Sequence, residues 1–299
     1  MIKLQPNFAD VYNNRGIAYS KNEDLDHAIV DYNQVIKLKP EYSLAYYNRG
    51  NTYYLQGKYK QAIADYTKAI DYTIYIPLSK QLYFYGSQKD YEQARANSTK
   101  ISQIDGNWRG INLADGYYNR GNAYARYKDY EQAIADYAKV VELDPNNADV
   151  YKNRGNVYSA MKDYDLAIAD YTYSIKLKSN DADAYYNRGI AYDDKRDYER
   201  AIVDYTQAIK LKPDFSIAYN NRGLAYGEKR NFERAISDLN QAIKLKPDDA
   251  NAYDSRGTIY RNKGDKKSAI RDFKKVLELT KDPDLRKNAK QELKKLGVR

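Results

Sequence analysis

The sequence predicts an all-α fold, a solenoid of stacked helix-turn-helix units, and three observations carry that prediction. Gly16, Gly50, Gly121, Gly155, Gly189, Gly223 and Gly257 are spaced by 34 residues, except for one interval of 71. Each has Arg before it, Tyr three residues after it and Ala twelve after it. Of the 41 aromatic residues 35 are Tyr, a skew expected when one motif is copied many times. A period of this length marks units that bury their apolar faces only by stacking on one another.

The elements follow in order along one unit. Between Asn147 and Leu177 the apolar residues Val150, Tyr151, Val157 and Tyr158, then Ala167, Ile168, Tyr171 and Ile175, fall at helical spacing on two short segments. Asn147 and Asp163 stand where helix N-caps are wanted, with a turn at Met161-Lys162 between the segments. Gly155 lacks a side chain where the two helices should come closest, and Lys176 and Lys178 lie at the negative end of the second helix. Pro40, Pro145, Pro213 and Pro247 close their units without donating an N–H.

Regular units are expected at 9–42, 43–74, 114–147, 148–181, 182–215, 216–249 and 250–283, within a single solenoid over 1–299. In the interval of 71, Lys89-Asp90-Tyr91-Glu92-Gln93-Ala94 copies Lys128-Asp129-Tyr130-Glu131-Gln132-Ala133. A degenerate repeat is therefore expected at 75–113, with Leu82 in the glycine's place, against the alternative of an irregular insertion. Residues 1–8 match the end of a unit, since Ile2-Lys3-Leu4-Gln5-Pro6 parallels Ile36-Lys37-Leu38-Lys39-Pro40, so the chain is expected to be a fragment of a longer protein. Leu285, Ala289, Leu293 and Leu296 predict a capping helix over 284–297, covering the last unit with a polar outer face.

This unit, with its glycine eighth, then Tyr, Ala, an aromatic and a closing Pro, resembles the tetratricopeptide repeat over nearly the whole chain. The resemblance implies a right-handed superhelix whose first helices line a concave groove, with positions 2, 5, 6, 9, 12 and 13 of each unit facing it. The sixth position is Asn14, Asn48, Asn119, Asn153, Asn187 and Asn221, then Ser255. An amide both donates to and accepts from a peptide backbone. The row is similar to the asparagine ladder of the O-linked N-acetylglucosamine transferase superhelix, although its amides could instead bond neighbouring helices. Tyr47, Tyr118 and Tyr186 hold the fifth position and Asn51, Asn122 and Asn156 the ninth, with Lys152 beside them. Asp115, Asp149, Asp183, Asp193 and Asp194 make the groove somewhat acidic, which favours a neutral or basic peptide over an acidic one. A clamp for a C-terminal carboxylate is not expected: Lys152, Asn156 and Asn187 match its first two units, but Ile217 and Asn221 stand where its last two cations belong.

The seventh position, usually apolar in this family, is Arg throughout, and each Arg has an Asp sixteen residues on. The pairs are Arg15 and Asp31, Arg49 and Asp65, Arg120 and Asp136, Arg154 and Asp170, Arg188 and Asp204, Arg222 and Asp238, and Arg256 and Asp272. The recurrence predicts structural ion pairs, since an Arg fork suits a carboxylate. A phosphate-binding stripe is the functional alternative.

Other chemistry is excluded or unsupported. There is no Cys, and His27 is the one histidine, read as a surface residue. No metal spacing, cofactor motif or nucleophile-base pair is found, so no enzyme is expected. The sequence lacks the apolar run of about 18 residues that a membrane helix needs, its mean hydropathy is −0.90, and no signal peptide is seen, which favours the cytoplasm. Residues 261–299 carry +8 of the net charge of +9, read as the solvated face of the cap, so nucleic acid is not expected as a partner. The expected function is a non-enzymatic scaffold holding an extended peptide of a partner protein in its groove. The alternative is a self-assembly module, a weak homodimer through the N-terminal repeats.

Overall fold

The computed structural model of the chain describes residues 8–85 and 110–298, the side chains of 75–85 excepted. All of its regular structure is helical among the described residues, and the helices group into two compact units, Met1–Val157 and Tyr158–Arg299, where the sequence suggests one solenoid. The first unit contains α1 (Ala9–Lys21), α2 (Leu25–Leu38), α3 (Ser43–Leu55), α4 (Tyr59–Tyr85), α5 (Leu113–Tyr127) and α6 (Tyr130–Leu143), and the division falls near the end of α7 (Ala148–Ala160). The second contains α8 (Tyr164–Leu177), α9 (Ala182–Asp194), α10 (Tyr198–Leu211), α11 (Ser216–Glu228), α12 (Phe232–Leu245), α13 (Ala250–Lys263), α14 (Lys266–Leu279) and α15 (Pro283–Lys295). Among the described residues no helix is long and apolar enough to cross a membrane.

One turn chemistry makes the hairpins. The residue before each second-helix cap is left-handed, with φ between 57° and 71° at Glu23, Gly57, Lys128, Lys162, Arg196 and Arg230, and 92° at Gly264. Non-glycine residues at such a φ cost about 1–2 kcal/mol, a cost the fixed geometry of the hairpin must offset. An Asx cap then starts the second helix: Asp129, Asp163, Asp197, Asn231 and Asp265 each accept from the backbone N–H three residues on. Such caps contribute about 1 kcal/mol each.

Packing inside a hairpin rests on three small or flat residues. The alanines Ala28, Ala62, Ala133, Ala167, Ala201, Ala235 and Ala269 are fully buried, as are Tyr32, Tyr66, Tyr137, Tyr171, Tyr205, Leu239 and Phe273 one turn later. In five hairpins the second-helix ring lies against the first-helix glycine, at Gly16, Gly50, Gly121, Gly189 and Gly257: a Cβ built on Gly189 would come within 2.7 Å of the Tyr205 ring. At the chain's end α15 buries Ala289 and Leu293, with Leu285 and Leu296, on Phe273, Val276 and Ala269, and Arg286 donates to the Leu277 and Thr280 carbonyls. The last unit is thereby covered by a helix whose other face is polar.

The interval of 71 is the main departure from the expected layout. Helix α4 continues through residue 75 to Tyr85, because Ile74 occupies the place where Pro40 and Pro145 stop their helices. Beyond it, α5 packs directly on α4: Ile70 and Ala69 cluster with Ile111, and a Cβ on Gly116 would meet Ile111 and Ile70 at 2.7 and 3.0 Å. Asn119 donates to Tyr47 and Asn51, and Arg120 to Thr67. The hairpins at 43–72 and 114–147 thus pack directly on one another, with the degenerate repeat expected at 75–113 between them in sequence. Most of that segment lies outside the described residues.

The glycine contact is testable. Gly189→Ala should destabilise the protein by about 1–3 kcal/mol, the cost of forcing extra volume into a packed core, seen as a lower urea midpoint with helicity retained. An unchanged midpoint would mean that the Tyr205 ring is free to yield.

Candidate functional site

Two bonded networks tie the hairpins together. The first is built on the seventh-position arginines. In six pairs within the two units (Arg15–Asp31, Arg49–Asp65, Arg120–Asp136, Arg188–Asp204, Arg222–Asp238 and Arg256–Asp272) Nε donates to Oδ2 and Nη2 to Oδ1 at 2.6–2.9 Å. The remaining guanidinium nitrogen, Nη1, donates backward to the preceding hairpin: Arg49 to Asn33 at 2.5 Å, Arg120 to Thr67 at 3.1 Å, Arg188 to Thr172 and Arg222 to Thr206 at 3.0 Å, and Arg256 to Asn240 at 2.6 Å. The threonines are turned for this by donating to their own helix, Thr172 to the Ile168 carbonyl and Thr206 to that of Ile202. Tyrosines one turn before and after flank the cation, as Tyr185 and Tyr192 flank Arg188 at 5.7 and 6.0 Å.

These five arginines are 12–18% exposed and Arg15, in the first described hairpin, is 44% exposed. With the fork on Asp and Nη1 on Asn or Thr, three of their five N–H donors are committed inside the protein. The backward acceptors Asn33, Thr67, Thr172, Thr206 and Asn240 are not among the residues the sequence analysis singles out, yet they share one position of the repeat and answer the question of what an Arg does with a donor beyond its fork.

The second network uses the asparagine row. Asn119 donates to the Tyr47 hydroxyl at 2.7 Å and to Asn51 Oδ1 at 3.3 Å, and Asn153 to the Tyr118 hydroxyl at 2.9 Å and to Asn122 Oδ1 at 3.0 Å. The same Oδ1 atoms accept the phenols of the second helices, Tyr66 on Asn51 and Tyr137 on Asn122, both at 2.8 Å. Burial pushes those phenols up, so they stay neutral donors. Asn48 donates to the buried Asn13 at 3.2 Å and Asn221 to Tyr186 at 3.1 Å. Within each unit the sixth position thus bonds to the fifth of the preceding hairpin, joined in the first unit by the ninth. Among the other residues read as groove, Asn14 and Asn156 are exposed, Asn187 is half-buried, and Lys152 pairs with Asp149 at 3.0 Å. His27 is exposed and lies 2.8 Å from Asp24.

The same face carries an unusual carboxylate. Asp193, half-buried on α9, is pushed up to about 6 by desolvation and by Asp194, with Glu228 adding to the repulsion and Tyr205 opposing it. Its charge therefore costs stability at neutral pH, and the cost shrinks as the pH falls from about 6 towards the unfolded carboxyl's pKa of about 4. Asp193→Asn should raise stability at pH 7 by about 1 kcal/mol, the linkage of a carboxylate still partly screened by solvent, and the two proteins should converge by about pH 4, near the unfolded carboxyl's pKa. Thermal melts across pH read this, and a gain that does not depend on pH would contradict it.

Comparison with known proteins agrees with this geometry. Family models described as the tetratricopeptide repeat match residues 9–42, 43–72, 114–147, 148–181, 182–215, 216–249 and 250–283. No curated protein matches the chain. Among solved structures it is similar to MamA, at 32% identity and a TM-score of 0.51 over 53% of this chain and 92% of that one. A tetratricopeptide repeat protein of Parabacteroides merdae shares the fold at 19% identity and a TM-score of 0.62, over 96% and 98%. The C-terminal part of a repeat protein of Cytophaga hutchinsonii does so at 20% and 0.65, over 94% and 98%.

Proposed function

Because the chain belongs to the tetratricopeptide repeat family, whose stacked hairpins serve as scaffolds for protein partners, we propose that it holds an extended, neutral or basic segment of a partner along its first helices, without covalent chemistry of its own. The observation that carries this reading is the orientation of the ladder amides. In Asn119 and Asn153 the amide nitrogens donate to the preceding hairpin, which fixes each side chain and leaves its Oδ1 as an acceptor. An extended backbone offers N–H donors on alternate residues, so a fixed row of amide oxygens can hold a strand whose sequence matters little. Asp115 and Asp149 add negative charge, and Lys152 is already answered by Asp149, so an acidic segment is disfavoured.

The test blocks the ligand's donors. Peptides that bind in an array screen of extended neutral and basic sequences should lose roughly fivefold in affinity for each contacting backbone amide that is N-methylated, one hydrogen bond apiece. Alanine replacement of most of their side chains should cost little. N-methylated peptides that bind as well as their parents would overturn the reading.

A further inference from the structure

First helices inside the stack are covered on one side by the second helix before them, and the contacts recur. Ala45 on α3 is buried with Val35, Ala123 on α5 with Ala62 and Tyr66, and Ala225 on α11 with Ala201 and Tyr205. The Arg of the same face donates Nη1 to that covering helix, as Arg49 does to Asn33 and Arg120 to Thr67. On α1 this side is open. Ala18, aligned with Ala123 and Ala225, is exposed, and Val11, aligned with Ala45, is only half-buried. Arg15 forks onto Asp31 but is 44% exposed, and its Nη1 has no acceptor among the described residues. A covering helix therefore needs Ala for Ala18, a hydroxyl or amide five residues later for Arg15, and an aliphatic side chain two further for Val11.

Residues 89–104 lie outside the described residues, yet their sequence holds this set. Lys89 to Ala94 copy Lys128 to Ala133, which puts Ala94, Thr99 and Ile101 at the places that Ala62, Thr67 and Ala69 hold on α4. The residues that would tie the segment to a first helix of its own are gone: Gln81, Leu82, Asn97 and Ser98 stand where Arg120, Gly121, Asp136 and Tyr137 do. What is kept faces a following first helix. In this chain the following first helix, α5, is already served by α4 through Thr67 and Ile70. The chain thus carries one second-helix stripe without a first helix and one first-helix face without a second helix.

We propose that α1 takes residues 89–104 of a second copy of this chain as its covering helix, with Ala94 on Ala18, Thr99 accepting from Arg15 Nη1, and Ile101 on Val11. The inference goes beyond the groove reading and uses none of the ladder bonds. A second copy is needed because both ends of the segment are held at the hairpin of α3 and α4, where α4 runs to Tyr85 and Ile111 packs on Ile70. From Tyr85 the residues 86–88 reach about 11 Å at most. The open side of the chain's own α1 lies two hairpins away, at about 8–10 Å for each packed helix between. Exchanged both ways, the contact closes a two-fold dimer. Residues 1–7 are a poorer cover: they copy Ile36 to Pro40, of which Ile36 packs beside Ala45, so they match the contact to Val11 alone.

The chain has no cysteine, so a pair of introduced thiols reports the contact. Ala18→Cys and Ala94→Cys are made in separate full chains and oxidised alone and mixed. The mixture should give a disulfide-linked dimer and neither variant alone should, because a bridge needs Cα atoms within about 7 Å. Light scattering on the unmodified chain should give twice the monomer mass. Ala18→Arg, at an exposed position where helicity should be retained, should halve that mass, and so should Ala94→Arg. Thr99→Val should weaken the dimer about tenfold, the loss of one hydrogen bond from a charged donor. A monomer at every concentration, a dimer that survives Ala18→Arg, or crosslinking by one variant alone as strong as in the mixture would each overturn the proposal. Two results would overturn it by naming another occupant. A chain carrying both thiols that bridges within itself would put its own segment on α1, and a monomer that dimerises only after removal of residues 1–7 would put those residues there.

Discussion

A largely buried guanidinium forked onto an Asp and bonded back to the preceding hairpin is the constraint on which the rest of this architecture depends. Arg49, Arg120, Arg188, Arg222 and Arg256 each join three elements at once: their own first helix, the second helix through Asp, and the preceding hairpin through Asn or Thr. Taking two charges out of water is expensive, and burial pushes the Asp136 carboxyl up even with Arg120 bonded to it. Pairs of this kind add little net stability over an apolar pair of similar volume, but losing one partner strands a charge. The arrangement therefore acts by penalising every other register. A hairpin slipped by one turn would leave an Arg and an Asp buried apart.

Such local rules explain why the stack tolerates a long interruption. In a solenoid each hairpin answers only to its neighbours, so α5 finds its Asn, Tyr and Thr partners on α3 and α4, with Ile111 packed beside them. Arg120 reaches Thr67 across 53 positions as Arg188 reaches Thr172 across sixteen. The asparagine lattice adds a second tie, so adjacent first helices are held by amides and phenols. Where Ile190 and Ser255 replace the amides of this lattice, the buried Tyr205 hydroxyl and Asn220 Oδ1 are left without hydrogen-bond partners.

The hairpins were legible in the sequence because their signals are local or strictly periodic. Asp163 announces a helix start within three residues, Leu285 to Leu296 announce an apolar stripe, and the Arg to Asp interval recurs without exception. What was not legible depends on which hairpin touches which. Lys89 to Ala94 copy a second-helix start, yet the hairpin at 114 stacks directly on the one at 43. Likewise the row of Asn could be placed on one face, but its hydrogens go to Tyr residues about one repeat back. Only with those partners known do Ile190 and Ser255 read as gaps.

A double-mutant cycle on Arg188 and Asp204, extended to Thr172, tests the central claim most directly. Asp204→Ala alone should cost about 3–5 kcal/mol by stranding the cation, and Arg188→Leu with Asp204→Leu together should cost far less than the sum of the single changes. Thr172→Val should couple to Arg188 by about 1 kcal/mol, one hydrogen bond between hairpins. Additive costs, with coupling near zero for both pairs, would mean that the recurring Arg does not hold the hairpins in register.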